Sequence, residues 1–500
     1  MKKIKNKKVF YTSIFILLLL FIVAISLVYR TLQNDTFYTI KIGKLILENG
    51  IDMKDHFSIH VLKYTYPHWL YDVFIYLIYL IGGYSGIYIS SIVLFLILIS
   101  IVYIGGYKLD KSVIASFVGA FVAMVMLRKN ITARAQTISY ILFALEILFI
   151  EFYNKTGKKK YGIFLFIISL LLCNMHVAVW PFYFILFLPY IAEFILSKIL
   201  RKIKNNNKVI KYLKKQFIVD DDIRIKGLLL IMGLSVFTGL MTPIKDTPYT
   251  YIIKTMRGNS QKYIMEHAHV TLKTSILVVV IFIQTIFWTF FSKIKFRDFC
   301  LIMGTLLMGV ISTRHISLLA VVASISLART IAIFFNSVSD KSDEITIDFC
   351  KKHFYIPIIL LIVSITYSVY TLKNEMTNKY IDDTFYPVEM VKYIKENIDI
   401  DKMRLFNDYN SGSYILLNDI PVFIDSRADL YTKEFSGYDY DIFDDYMNVT
   451  SNYKDVMEFY NITHLLLYKD YDLDTILYHD SDYTLLKEDD TFRFYEKKRK

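Results

Sequence analysis

The sequence predicts a multi-span α-helical membrane protein with a small α/β domain at its C-terminal end. Three observations support this class. The 500 residues are 55% hydrophobic and 16% aromatic, and the mean hydropathy is +0.40, which is too apolar for a typical soluble domain. Long apolar runs recur along residues 1–371, whereas residues 372–500 are polar and rich in turn-forming residues. The domains are therefore predicted as 1–371 and 372–500.

The apolar runs predict roughly eleven membrane spans, several of them short, by the length that a bilayer requires. The first follows a lysine-rich start, MKKIKNKK, and has no small-residue cleavage site, so it is interpreted as an uncleaved anchor with a cytoplasmic N-terminus. The runs are at 8–29, 85–106, 113–127, 134–152, 161–173, 177–197, 226–242, 274–291, 298–311, 314–335 and 354–371.

The lysines predict the orientation. The formal net charge is +12, but the basic residues cluster at the ends of apolar runs, which is typical of cytoplasmic loops and not of nucleic-acid binding. The segment 69–83 is short, aromatic and ends in Gly-Gly, so it is predicted to lie along the membrane interface. With that choice the lysine-rich stretches 153–160 and 198–225 stay inside, and five polar segments lie outside, at 30–84, 128–134, 173–179, 242–270 and 312–315.

The tail is predicted to be an extracytoplasmic α/β domain. PVEMVKYIKENI has helical periodicity, and RLFNDY, PVFIDSR, THLLLYK and TFRFYEK are typical of short strands. No nucleotide-binding Gly-rich loop and no Gly-x-Ser-x-Gly turn occurs. The three cysteines are far apart, which predicts neither a zinc site nor a disulfide framework.

Carboxylates in the first outer loop are the candidate catalytic groups. Asp35 lies at the end of the first span, close to Phe37 and Tyr38. Partial desolvation there suits a general base. Asp55 is the second candidate, and two such carboxylates could share a divalent cation. Asp is also a favoured helix N-cap. An alternative interpretation is therefore that Asp35 caps a helix beginning at Thr36, and the two roles are compatible.

Cationic and aromatic side chains on the same predicted face are candidates for substrate binding. Arginine binds phosphate oxygens in a fixed geometry, and arginines on the outer face run against the usual charge bias. Snorkelling toward lipid headgroups is the alternative. Histidines at span ends are often structural, and an interfacial Trp is often an anchor, although Trp also stacks on sugars. The candidates are Arg128, Arg134, Arg314, His68, Trp69, His176, Glu266 and His315.

Several short motifs together resemble one family. Asp35 lies just past the first span and is followed by Gly43 and by Asp-His-Phe-Ser at 55–58. Trp-Leu at 69–70, Gly-Gly at 82–83, Arg-Ala-Gln at 134–136 and Asn-Met-His at 174–176 follow. The tail adds Asp408, Gly412, Tyr414, Asp425 and Arg427. The pattern resembles a bacterial branch of the GT-C glycosyltransferase superfamily. It departs from that branch at His68, where an acid is expected, and at Ala135, where proline is usual.

The resemblance implies a GT-C-like membrane enzyme that uses a polyprenyl-phosphate-linked sugar. It implies inverting transfer to a cell-envelope glycan or lipid on the outer face, with Asp35 as the base. In such a transfer the acceptor oxygen attacks the anomeric carbon directly. The resemblance adds no cofactor to the divalent cation that the two carboxylates could share. A transporter or flippase of lipid-linked sugar or polysaccharide is one alternative, and Glu146, inside an apolar run, is the residue that favours it. A non-catalytic partner whose tail binds cell-wall glycan is another.

Overall fold

The computed structural model describes residues 2–203, 208–258, 260–263, 276–291, 293–338 and 342–498. The chain divides into two compact units. We call the first the helical unit, which comprises Met1–Tyr29, Ile89–Thr242 and Met265–Thr377. We call the second the loop–tail unit, which comprises Arg30–Tyr88, Pro243–Ile264 and Asn378–Lys500.

Helices make up most of the described chain. They are α1 Lys2–Ser26, α2 Asn34–Asn49, α3 Trp69–Asp110, α4 Val113–Leu127, α5 Ala135–Thr156, α6 Lys159–Met175, α7 Trp180–Ile185, α8 Leu188–Lys202, α9 Lys208–Gln216, α10 Ile225–Val236, α11 Thr247–Arg257, α12 Ser260–Tyr263, α13 Ile276–Phe291, α14 Phe296–Ile311, α15 Ile316–Val338, α16 Ser342–Lys352, α17 Tyr355–Thr377, α18 Val388–Asn397, α19 Tyr409–Leu417, α20 Lys433–Ser436, α21 Ile442–Met447, α22 Val449–Phe459 and α23 Asp472–His479.

The described part of each predicted apolar run is mostly helical, because a chain in lipid must satisfy its backbone polar groups internally. Among the described residues, six helical segments are long and apolar enough to cross a membrane, and three further apolar helices are shorter. This supports a multi-span membrane protein. The count of eleven spans and the sidedness of the termini stay predictions.

The predicted break at Gly82–Gly83 is present inside α3. Gly83 has φ 56° and ψ −148°, so α3 consists of two helices joined at this residue. Glycine adopts such a positive φ without the strain that a Cβ would cause. The first helix belongs to the loop–tail unit, and the second enters the helical unit at Ile89. Whether the first helix lies along the membrane interface stays a prediction.

Within the helical unit, α4 and α15 pack closely and run in opposite directions. A Cβ added at Gly119 of α4 would lie 2.4 Å from the carbonyl oxygen of Ser324, so only glycine allows this approach. The backbone N–H of Val113, at the start of α4, donates to Asp343 beyond the end of α15. The end of α4 therefore lies near the beginning of α15.

A buried ionic network lies toward the other end of these helices. Arg297 donates to both oxygens of Glu151, at 2.7 and 3.0 Å, and to Glu193 at 3.0 Å. Arg329 donates to Asp298 at 3.0 Å and pairs with Glu151 at 2.9 Å. Because buried charges are tolerated only when they are paired and hydrogen-bonded, this network joins α5, α8, α14 and α15. Sequence reasoning did not find it.

The helical unit also contains a two-stranded parallel pairing of β1 Phe217–Ile218 with β2 Ile294–Lys295. The loop–tail unit contains a four-stranded sheet in the order β3-β4-β6-β5. Its strands are β3 Leu405–Asn407, β4 His464–Tyr468, β5 Tyr483–Glu488 and β6 Phe492–Lys497. β3 pairs parallel to β4, and the other two pairings are antiparallel.

The predicted α/β composition of the tail is present, with one error and one omission. PVEMVKYIKENI forms α18, and three of the four predicted strands form β3, β4 and β6. PVFIDSR was predicted as a strand and is not one; only Val422 forms an isolated bridge, to Ser58 in the outer loop. This partner lies far away in sequence, so local periodicity could not reveal it. Strand β5 was not predicted.

The outer loop packs onto the tail inside the loop–tail unit. The backbone N–H of Ile59 donates to the carbonyl of Val422 at 2.8 Å, and that of Val422 donates to Phe57 at 3.1 Å. His60 Nε2 lies 3.0 Å from the carbonyl oxygen of Phe423, and His60 is 8% exposed. Burial lowers the pKa of the His60 imidazole to about 4.

This buried histidine predicts acid sensitivity. Its pKa is about 4 when folded and roughly 6.5 when unfolded, so the unfolded chain binds more protons between these values. Its stabilising effect is therefore complete above roughly pH 6.5 and is lost as the pH falls toward 4, by about 3 kcal/mol. The midpoint of thermal unfolding, measured in detergent from pH 7.5 to 4.5, should fall less in His60→Gln than in the wild type. Equal falls would contradict this role.

Candidate functional site

Asp35 lies in the first turn of α2 and is half-buried. The N-cap of α2 is Gln33, and the backbone N–H of Thr36 donates to the Gln33 carbonyl at 3.0 Å. The prediction that Asp35 caps a helix beginning at Thr36 is therefore wrong, because α2 begins at Asn34. The helix N-terminus stabilises negative charge, so Asp35 occupies a position that favours a carboxylate.

Aromatic packing holds this helix end. Phe37 is fully buried, and its ring makes edge contacts with Tyr386 at 4.9 Å and Tyr414 at 5.4 Å between centroids. Tyr386 also donates its hydroxyl to the carbonyl of Leu32 at 2.9 Å. Burial, and secondarily the Asp35 carboxylate, raises the pKa of Tyr386. The backbone around Asp35 is thus fixed by side chains of the tail.

His68 is held between two polar partners in the same unit. Its Nδ1 lies 2.7 Å from Oδ1 of Asp72, which is fully buried, and its Nε2 lies 3.2 Å from the hydroxyl of Tyr38. Sequence reasoning did not select Asp72 or Tyr38. The spacing His68-x-x-x-Asp72 could have indicated the first contact, because residues four apart at a helix start are neighbours. Trp69, half-buried, is the first residue of α3.

Asp55 makes a buried ion pair. Its Oδ1 lies 2.6 Å from Nη1 of Arg427, and its Oδ2 accepts from the backbone N–H of Ser58 at 2.9 Å. Burial opposes ionisation, but Arg427 and the hydrogen bonds from Ser58 outweigh it and lower the pKa of Asp55. Both oxygens are engaged, so this geometry favours a structural role over that of a second base.

The motif residues of the tail position Arg427, the partner of Asp55 in this ion pair. Arg427 binds Asp425 through Nε at 2.9 Å and Nη2 at 2.7 Å. A Cβ added at Gly412 would lie 2.1 Å from the carbonyl of Ile424, so glycine is required there. Asp408 accepts from the backbone N–H of Tyr468 at 2.5 Å, and burial raises the pKa of Asp408 to about 7. The motif residues therefore organise the interior of the loop–tail unit.

The remaining candidates lie together at one end of the helical unit. Arg128 ends α4 and is exposed, and Arg134 precedes α5 and is half-buried. His176, at the end of α6, is buried, with Nδ1 2.9 Å from the hydroxyl of Ser139 in α5. The turn Thr313–His315 precedes α15.

His315 packs against Phe182, which follows the α6 end, at 5.1 Å between ring centroids. The end of α4 lies near the beginning of α15. The same end of the helical unit therefore carries all five of these side chains: Arg128, Arg134, His176, Arg314 and His315. The ionic network lies about 25 Å further along α5, at 1.5 Å per residue from Arg134 to Glu151. The candidate arginines and histidines thus lie toward one end of the helical unit, and the buried ionic network lies toward the other.

Two of the predictions, the role of Glu266 and the divalent cation, are not supported by the described residues. Glu266 lies outside the described residues. The suggested divalent cation finds no ready ligand set, because the described residues contain no group of three or more His, Cys, Asp or Glu side chains that could hold a metal ion.

The fold is similar to that of a protein of known structure. ArnT from Cupriavidus metallidurans, in a crystal structure bound to undecaprenyl phosphate, matches with a TM-score of 0.58. The match covers 97% of this chain and 97% of that chain at 8% sequence identity. The two proteins therefore share a similar fold. No family model matches the sequence, and no curated protein matches it either.

Proposed function

We propose that this protein is a membrane glycosyltransferase that moves a sugar from a polyprenyl-phosphate carrier to a cell-envelope acceptor on the outer membrane face. The observation that carries the proposal is the likeness along nearly the whole chain to ArnT, a protein that binds undecaprenyl phosphate. Fold alone does not fix function, so the proposal also depends on the side chains that the GT-C pattern selects.

The proposed reaction is direct displacement with inversion. The carboxylate of Asp35, in the first turn of α2, accepts the proton of an acceptor hydroxyl as that oxygen bonds to the anomeric carbon. The bond from the anomeric carbon to the carrier phosphate breaks, and the electron pair leaves with the phosphate. Asp35 belongs to the loop–tail unit, and its helix is fixed by Phe37, which gives the base a defined position.

The candidates for binding the carrier phosphate are Arg134, Arg128 and Arg314. Arg134 is half-buried and Arg128 and Arg314 are at the same helix ends. A guanidinium in a water-poor site stabilises developing phosphate charge more strongly than in water. The carrier phosphate is a good leaving group, so the proposed reaction needs no nucleotide. The proposal also places the tail on the extracytoplasmic side.

The test is transfer by the purified full-length protein in liposomes. The donors are undecaprenyl-phosphate-linked hexoses and pentoses, and the acceptors are envelope lipids and glycans from the parent cells. The expected result is release of undecaprenyl phosphate with formation of a glycosylated product of inverted anomeric configuration. Unchanged envelope glycans in a deletion strain, together with no carrier release from any donor, would contradict the proposal.

A transporter of lipid-linked sugar is the second candidate, and one observation favours it. Glu146 is fully buried in α5, and neither carboxylate oxygen has a hydrogen-bond partner among the described residues. Intramembrane ionisable residues commonly mark transport paths. This candidate predicts that labelled lipid-linked sugar crosses the bilayer without loss of its sugar, and that Glu146→Gln prevents the crossing.

A further inference from the structure

A chain of three side chains leads away from the helix that carries Asp35. Asp72 Oδ1 lies 2.7 Å from His68 Nδ1, and His68 Nε2 lies 3.2 Å from the Tyr38 hydroxyl oxygen. Asp72 is 0% exposed, Tyr38 is 7% exposed, and the His68 side chain is 12% exposed. All three residues belong to the loop–tail unit.

The partners of His68 select its tautomer. A carboxylate only accepts hydrogen bonds, so Asp72 requires a proton on Nδ1 of His68. Nε2 then presents a lone pair and accepts from the Tyr38 hydroxyl. The phenolic oxygen can accept a new proton while it donates its own, so the chain is arranged to move a proton from Tyr38 toward His68.

The chain begins one helical turn from the proposed base. Asp35 and Tyr38 are three residues apart on α2, and residues at this spacing lie on one helix face with their Cβ atoms about 5–6 Å apart. Close packing fixes α2 against α3. A Cβ added at Gly43 would lie 2.1 Å from the carbonyl oxygen of Asp72.

We propose that Tyr38, His68 and Asp72 form a proton relay that returns Asp35 to its carboxylate form after each transfer. This rests on the proposed function. Protonated Asp35 gives its proton to the Tyr38 oxygen, directly or through one water, and Tyr38 gives its own proton to Nε2 of His68. The imidazolium formed is stabilised by Asp72 and passes a proton to solvent. No bond other than these O–H and N–H bonds changes.

The surroundings of His68 suit a cationic imidazolium intermediate. Asp72 faces the imidazole, and the electrostatic neighbours of Asp72 include Arg427 of the tail and Tyr64 of the outer loop. Arg427 is itself paired with the carboxylates of Asp55 and Asp425, so this neighbouring cluster adds no net positive charge. The partial exposure of His68 gives the proton a way out.

The relay acts after the chemical step, so it can be separated from that step in time. In liposomes, Tyr38→Phe, His68→Gln and Asp72→Asn should each lower steady-state kcat by about 10–100-fold, the loss seen when partners of metal-binding side chains are removed. KM should fall in proportion, so that kcat/KM is unchanged. With enzyme in excess over donor, the rate of the first turnover should stay within about twofold of the wild type. Added imidazole should restore kcat in His68→Gln.

His56→Gln is the matched control, because His56 is an exposed histidine of the same outer loop bound to Asp52. It should leave kcat unchanged. Equal slowing of the first and later turnovers, or wild-type kcat in Tyr38→Phe and His68→Gln, would overturn the relay. If the wild type itself releases no carrier phosphate, the proposed function fails and the relay fails with it.

Discussion

Asp35→Asn is expected to lower the rate of sugar transfer by about 10²–10⁴-fold, the usual contribution of a general base. The substitution keeps the size of the side chain and removes its ability to take a proton. Phe37 and Tyr386 still hold the helix, so the protein should remain folded. The measurement is release of carrier phosphate by the purified variant in liposomes, with thermal unfolding as the check on folding.

Glu48→Gln provides the matched control for this variant. Glu48 lies on the same helix, is exposed, and lies 3.8 Å from the exposed Lys44. Glu48→Gln removes one negative charge, as Asp35→Asn does, but at a position away from the aromatic contacts. Transfer by this variant should continue at the wild-type rate. Full activity in Asp35→Asn would remove Asp35 from the mechanism, whereas loss in both variants would indicate an effect of charge alone.

Local sequence patterns predicted the helices because each depends on residues close in the chain. The apolar runs correspond to helices wherever the structure describes most of the run, and the Gly82–Gly83 pair correctly marked the break in α3. The cap at Asp35 was wrong by two positions, since α2 begins at Asn34 and its N-cap, Gln33, makes no side-chain cap hydrogen bond. The boundary therefore depends on tertiary packing and not on a capping side chain.

Contacts between distant residues could not be predicted in this way. Asp55 and Arg427 are 372 residues apart, and Arg297 and Glu151 are 146 apart. Spacing along one chain gives no information about such pairs. This explains why Asp55 was selected as a candidate base: an acid in an outer loop has the same local pattern whether it faces solvent or a buried arginine.

The proposed relay combines one contact between residues close in sequence with one between distant residues. The contact between His68 and Asp72 spans four residues and was within reach of sequence reasoning, whereas the contact between His68 and Tyr38 spans thirty. The departure at His68 from the acid expected in the GT-C pattern now has a structural context. The imidazole is held by an acid one turn later, so a carboxylate remains near this position.

Arg427→Met is expected to destabilise the folded protein strongly. It leaves the carboxylates of Asp55 and Asp425 buried without their shared cation, and breaking a buried ion pair from one side lowers the free energy of unfolding by about 3–5 kcal/mol. Thermal unfolding in detergent should show a lower midpoint, and proteolysis should cut the outer loop at 50–68 sooner. Lys402→Met, which breaks an exposed pair with Asp399, is the control and should leave both unchanged.

The loss of stability in Arg427→Met could come from unpaired charge or from lost packing. Neutralising Asp55 and Asp425 distinguishes these two causes. If unpaired charge is the cause, the triple variant Arg427→Met, Asp55→Asn and Asp425→Asn should recover most of the lost stability, because polar groups without charge are less unfavourable to bury. If the packing of the guanidinium against Tyr64 and Phe57 dominates, the triple variant should stay as unstable as the single one. Transfer activity should follow stability in each variant, because Asp55 then connects the outer loop to the tail and takes no part in proton transfer.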